Sequence, residues 1–173
     1  MGSRQVTMIL VGLGANLPHP RLGRPRQALE AALLALVAMG PLIVRRSRWY
    51  LSSPVPVSDQ PWFVNAVIAI ATERSPARLL SDLHDVERQF GRQRVERDEA
   101  RVLDLDLLAY DDEVCGDGAA LLPHPRLTER AFVLLPLREV APQWRHPLSG
   151  QCVGDLIAAL PGHQIARPML ACD

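Results

Sequence analysis

Apolar residues recur along this chain with two different periods, and the switches between them outline a fold. Residues 6–12 are aliphatic and β-rich and end in glycine, which predicts a first strand. Leu29, Leu33, Leu36 and Val37 then recur at helical spacing behind Pro25, and Gly40 stops the run. Residues 42–50 predict a second strand and residues 62–72 a third. Between them Pro54, Pro56 and Pro61 predict a loop of restricted backbone freedom. Ser75-Pro76 supplies an N-cap and a first helical position, followed by the apolar stripe Leu79, Leu80, Leu83, Val86 and Phe90 and closed by Gly91. A polar loop at 92–101 and a fourth strand at 102–110 complete the order β-α-β-β-α-β. That order is the ferredoxin-like plan, an α+β fold with an antiparallel sheet covered by helices. Extra C-terminal helices are predicted at 128–140 and 153–160. With no internal repeat or low-complexity linker, residues 1–173 read as a single domain.

The fourth strand carries the strongest chemical signal, Arg101-Val102-Leu103-Asp104-Leu105-Asp106-Leu107. Side chains alternate between faces of a strand, so Leu103, Leu105 and Leu107 point to a core while Asp104 and Asp106 share the other face, ~7 Å apart. Two carboxylates so placed repel each other unless cations sit between them. Hard oxygen donors of this kind select Mg²⁺ or Ca²⁺ over zinc. The alternative is a solvated sheet face, against which stands the depletion of aspartate in strands. From Asp82 to Glu113 the chain places 11 of its 19 acidic residues together with five arginines. Carboxylates for a cation beside guanidinium forks for phosphate oxygens suit a metal-plus-phosphate pocket.

Other segments are weaker when taken singly. Gly12-Leu13-Gly14 begins like a dinucleotide fingerprint, but Leu17 occupies the third glycine position and no parallel βαβ unit follows, so a tight turn is expected there. Phe63 and Asn65 fall on one face of the third strand, where an aromatic plane beside an amide suits a flat heterocycle. Pro123-His124-Pro125-Arg126 is a rigid loop offering an imidazole and a guanidinium.

Charge narrows the chemistry further. The 19 basic residues balance 19 acidic ones, and all 19 are arginine. Without lysine there is no Schiff base and no P-loop or kinase-type phosphate lysine, so arginine must hold any phosphate. Zero net charge and eight aromatic residues argue against nucleic acid as a partner, and no apolar run is long enough to span a bilayer. Three cysteines, Cys115, Cys152 and Cys172, lack metal-ligand spacing and fit a reducing, cytoplasmic setting.

Together these segments resemble the 6-hydroxymethyl-7,8-dihydropterin pyrophosphokinases of folate biosynthesis, from Gly12 to about Leu160. The matching blocks are Gly14-Ala15-Asn16-Leu17, residues 59–66, Glu87 with Gly91-Arg92, residues 101–106, Pro123-His124-Pro125-Arg126-Leu127 and Arg130-Ala131-Phe132-Val133-Leu134. The resemblance implies transfer of diphosphate from ATP to the pterin hydroxymethyl group, releasing AMP. It implies two Mg²⁺ ions on Asp104 and Asp106, with Arg92 and Arg101 joining them in catalysis. It places ATP against Glu87, Arg92, Arg94, Arg101, His124 and Arg130. The pterin is expected at Ser52, Val55, Phe63, Asn65 and Phe132, with the two phenylalanines sandwiching it. The implied partners are these two small molecules, with no nucleic acid and no membrane, and the chain is expected to act as a monomer. One departure stands out: Asp98-Glu99-Ala100 replaces the tryptophan and proline usual before the arginine, which implies altered closure of the nucleotide loop. Another Mg²⁺-dependent nucleotide-using transferase, a degenerate family member and a non-enzymatic ferredoxin-like binding module are the rival readings. Pterin binding and turnover separate them.

Overall fold

The computed structural model describes residues 8–91, 100–118 and 120–170. Strands β1 (Ile9–Ala15), β2 (Leu42–Arg46), β3 (Tyr50–Ser52), β4 (Phe63–Ala71), β5 (Asp104–Tyr110) and β6 (Ala166–Pro168) form one antiparallel sheet in the order β5-β1-β4-β3-β6, with β2 also pairing β4. Helices α1 (Pro25–Ala38) and α2 (Pro76–Gln89) cover one face. The ferredoxin-like plan and both helix starts are as predicted. Pro25 and Pro76 occupy first helical turns, and the Ser75 hydroxyl accepts the Arg78 N–H.

The alternation in each strand decides what each face becomes. Ile9, Val11 and Leu13 of β1, Val64, Ala66, Ile68 and Ile70 of β4, and Leu105 and Leu107 of β5 are buried beneath α1 and α2 with Leu29, Leu36, Leu79 and Leu83. Each such leucine, taken fully out of water, contributes about 1.5–3 kcal/mol. The opposite face is divided. At one end Leu10, Val67, Ala69 and Leu108 are covered by Leu134, Leu137 and Val140 of α3 (Ala131–Val140), with α4 (Val153–Ala158) behind. At the other end the same face presents Gly12, Gly14, Asn65, Asp104 and Asp106 to a cavity.

Four elements depart from the sequence-based expectation. The run 42–50 is two strands rather than one, because the chain leaves the ladder at Ser47. The Ser47 hydroxyl accepts the Val67 N–H (3.0 Å) in place of a backbone carbonyl. The expected turn at Gly12–Gly14 is instead strand. There β1 has a neighbour on each side, Gly12 opposite Val67 and Asp106, and Gly14 opposite Asn65 and Asp104. Two ladders outweigh the weak strand preference of glycine. The expected helix 128–140 begins only at Ala131, after a 3-10 turn at Leu127–Glu129. The Ala131 N–H is taken by Gln164 Oε1 (2.8 Å), a residue far along the chain. Strand β6 carries no alternating pattern of its own and forms by pairing with β3.

A polar cluster ties β3 to α3. Glu139 accepts from the Arg48 N–H (2.9 Å), Arg48 Nη2 (2.6 Å) and the Tyr50 hydroxyl (2.5 Å). Burial, and then the bond to Glu139, push the Tyr50 hydroxyl up to about 12. For Glu139 burial alone would raise the carboxyl, but the bonds from Arg48 and Tyr50 outweigh it and hold it below its usual value of 4.5. A carboxyl depressed in the folded state adds stability that is present above the unfolded-state value and lost as pH falls through the folded one. Glu139→Gln should therefore lower the unfolding temperature at pH 7. The difference from wild type should shrink below about pH 4.5, as followed by circular dichroism melts across pH.

Candidate active site

The cavity over the open half of the sheet has a volume of about 800 Å³. Its floor is closely fitted at the two glycines: a Cβ on Gly12 would lie 3.3 Å from Leu108 Cδ1, and one on Gly14 3.3 Å from Asn65 Oδ1. A side chain at either position would crowd the floor, which is the structural use of the motif first read as a turn.

Asp104 and Asp106 project into the cavity from β5, as the strand alternation requires. Each has a guanidinium beside it. Arg101 Nη1 lies 2.5 Å from Asp104 Oδ2, and Arg130 Nη1 lies 3.7 Å from Asp106 Oδ2. The Arg130 guanidinium also sits 5.5 Å over the Phe132 ring, a cation–π contact that helps orient it. Among the described residues no cluster of three or more His, Cys, Asp or Glu side chains is placed to hold a metal ion. His124 reaches the cavity from the 123–126 loop, and its Nδ1 accepts the Arg126 N–H (3.1 Å). Nε2 is then the protonated nitrogen of the neutral ring. Burial first, and the positive charge of Arg130 second, hold its pKa below the usual 6.5, so it is a neutral Nε2–H donor at pH 7.

The other end of the cavity is aromatic and amide-lined. Phe63 and Asn65 enter from β4, Phe132 from the first turn of α3, and Ser52 and Val55 from β3 and the loop after it. Asn65 Nδ2 donates to the Ser52 hydroxyl (2.7 Å), so this amide is buried and fixed in orientation.

Ten of the side chains singled out from the sequence thus meet in one cavity: Ser52, Val55, Phe63, Asn65, Arg101, Asp104, Asp106, His124, Arg130 and Phe132. Arg92 and Arg94 lie outside the described residues, as do Asp98 and Glu99 of the divergent loop. Glu87 is not brought to the cavity. It is buried under α2, 2% exposed, and its Oε1 accepts the Leu105 N–H (2.7 Å). β5 ends the described sheet, and Glu87 occupies the place a further strand would take on Leu105. Its contribution is to hold the strand between Asp104 and Asp106. Arg126, the guanidinium of the 123–126 loop, lines the cavity, and two residues that sequence reasoning left without a role also shape the site: Gln60 lines it, and buried Asn16 stands just behind it. Asn16 lay within a matched block, but nothing about an asparagine after a strand announces its contacts.

Comparison with known proteins supplies the family. Residues 10–142 match the family model described as 7,8-dihydro-6-hydroxymethylpterin-pyrophosphokinase. A 2-amino-4-hydroxy-6-hydroxymethyldihydropteridine pyrophosphokinase of Synechocystis sp. is 40% identical over 148 residues, covering 86% of this chain and 73% of the relative. One of the same name from Methylorubrum extorquens is 38% identical over 163 residues, covering 94% of this chain and 99% of the relative. In three dimensions the chain superposes on a Plasmodium falciparum HPPK-DHPS triple mutant with a TM-score of 0.63 at 15% identity. That match covers 91% of this chain and 45% of the solved one, so it speaks for the fold alone. On the family model and these relatives, the chain belongs to the 7,8-dihydro-6-hydroxymethylpterin-pyrophosphokinase family.

Proposed function

We propose that this chain transfers the β,γ-diphosphate of ATP to the hydroxymethyl group of 6-hydroxymethyl-7,8-dihydropterin. The observation that carries the proposal is one cavity with an aromatic and amide end at Phe63, Asn65 and Phe132 and a carboxylate and guanidinium end at Asp104, Asp106, Arg101 and Arg130. The pterin ring lies between the two phenylalanines, with Asn65 at its edge. The substrate hydroxyl oxygen attacks the β-phosphorus, the bond from that phosphorus to the α,β-bridging oxygen breaks, and AMP leaves. The hydroxyl proton passes to solvent. Such a transfer needs alignment and charge neutralisation more than covalent help from the protein. Arg101 and Arg130 take phosphate oxygens in their planar forks, and the neutral His124 adds an Nε2–H donor without a charge to desolvate.

Asp104 and Asp106 are the residues that would hold Mg²⁺. The donor set fits: two hard oxygen ligands, with no cluster of three or more His, Cys, Asp or Glu side chains among the described residues, leave positions for water and phosphate, as Mg²⁺ prefers. Bound there, the metal would neutralise the phosphate charge. Residues 1–173 act as one unit on this reading. Gln164, beyond the matched segment, supports the start of α3 that carries Phe132, and β6 extends the sheet beside Ser52. No helix among the described residues is long and apolar enough to cross a membrane. The free thiols Cys115 and Cys152 accord with the reducing cytoplasm we assign to it.

The test is product identity. Incubated with Mg²⁺, ATP and the dihydropterin, the protein should form AMP and pterin diphosphate in equal amounts. Excess chelator should stop the reaction, and added Mg²⁺ should restore it. Release of ADP, or no turnover under these conditions, would overturn the proposal.

A further inference from the structure

A second cavity, of about 720 Å³, lies past the C-terminal end of α3 and shares no lining residue with the first. The length of α3 sets it ~15 Å from the first helical turn, which carries Phe132. Its walls bring in charges of both signs that do not meet. Asp111 and Glu113 come from the turn after β5 and Arg45 from β2, with β1 and β4 between those strands. Three strand spacings put the two backbones ~14 Å apart. Arg145 joins from the segment after α3. Each arginine places Nη1 on a backbone carbonyl, Arg45 on Val140 (3.2 Å) and Arg145 on Gly150 (3.0 Å). Among the described residues neither is paired with an acid. Met8 and Trp144 give the same cavity apolar wall, and an edge contact from His146 (centroids 5.9 Å) fixes the indole. Asp111 is held there at a cost. It alone among the described non-glycine residues has a positive φ (50°), and its Oδ1 is enclosed without a hydrogen-bond partner. Burial first raises its carboxyl above the usual 3.8; a bond from the Met8 backbone opposes this, and the charges of Glu113 and Asp112 add to it.

We infer that this cavity binds a small zwitterion, an amine and a carboxylate separated by a short apolar chain. The ammonium lies toward Asp111 and Glu113, the chain against Met8 and Trp144, and the carboxylate toward Arg45 and Arg145. A cation near Asp111 relieves a carboxylate that is both desolvated and crowded by like charge. A lone cation would leave the two guanidinium groups unmatched, and a lone anion would leave the acids so. The ligand that answers both walls carries both charges, far enough apart to span them. No residue of the catalytic cavity takes part, so the inference stands apart from the functional reading above.

The experiment titrates the full chain with 6-aminohexanoate and follows the Trp144 indole N–H by nitrogen-15 NMR. The titration is repeated with Mg²⁺, α,β-methylene-ATP and the dihydropterin present. The shift should saturate, and it should persist when the catalytic cavity is filled. Hexylamine and hexanoate, each lacking one of the charges, should bind at least about 5-fold more weakly. This comparison uses the wild type alone and does not depend on any variant folding. Glu113→Gln and Arg145→Gln, both at exposed positions, should each weaken 6-aminohexanoate about 5-fold and leave turnover unchanged. Four results would each overturn the inference: no saturable shift, equal binding of a one-charge analogue, displacement by the catalytic ligands, or full affinity in either variant.

Discussion

Asp104→Ala and Asp106→Ala should each lower kcat by roughly 10²–10³-fold or more, with the protein still folded. Both side chains face the cavity, 16% and 35% exposed, so neither substitution opens a hole in a core. Removing either carboxylate also relieves repulsion from the other. Asp104→Ala gives up its pair with Arg101, and a partly exposed pair of that kind is worth about 1 kcal/mol or less. Catalysis has no such compensation on the proposed reading, in which these two carboxylates hold the Mg²⁺. Steady-state rates beside thermal melts separate the two effects. Near-normal turnover in either variant would refute the metal assignment, whatever the melts show.

Arg101→Lys should come second in size, with kcat lower by about 10²-fold although the formal charge is kept. The guanidinium holds two acceptors in one plane and can bridge Asp104 and a phosphate oxygen at once, whereas an ammonium is a point charge on a flexible stem. Arg101 is only 20% exposed and lies 2.5 Å from Asp104, so its donors are already directed before substrate arrives. The absence of lysine from this chain is then more than a matter of composition at this position. Wild-type kcat in Arg101→Lys would show that charge alone suffices there and that the fork is dispensable.

Much of this site was legible in the sequence because strand alternation is a local rule. Leu103, Leu105 and Leu107 go to the core, so Asp104 and Asp106 must go the other way. The same rule put Phe63 and Asn65 together on β4. Helix starts at Pro25 and Pro76 were equally local, set by proline at a first position, with a serine cap at Ser75. Misreadings arose where a contact crosses the chain. Glycine in a strand is locally unfavourable, and only the ladders on both sides of β1 and the crowded floor beneath the cavity account for Gly12 and Gly14. Glu87 looks like a surface acid or a ligand near the end of its helix. Only the approach of β5, bringing the Leu105 N–H to 2.7 Å, makes it an edge-strand cap.

By itself, the sequence determined most of the elements, the ferredoxin-like order and the carboxylate pair, because short-range periodicity carries that information. It also determined that arginine must be the cationic clamp, since no lysine is present. The tertiary structure alone decided which half of the second sheet face α3 would cover and which it would leave open as a cavity. It likewise decided the split of β2 from β3, the addition of β6, and the amide of Asn16 as a joint between Arg101 and Pro61. Each of these depends on partners from 11 to more than 100 residues apart in the chain. Such pairings leave no period in the sequence, and they form only when folding makes a buried polar group find the one donor or acceptor within reach.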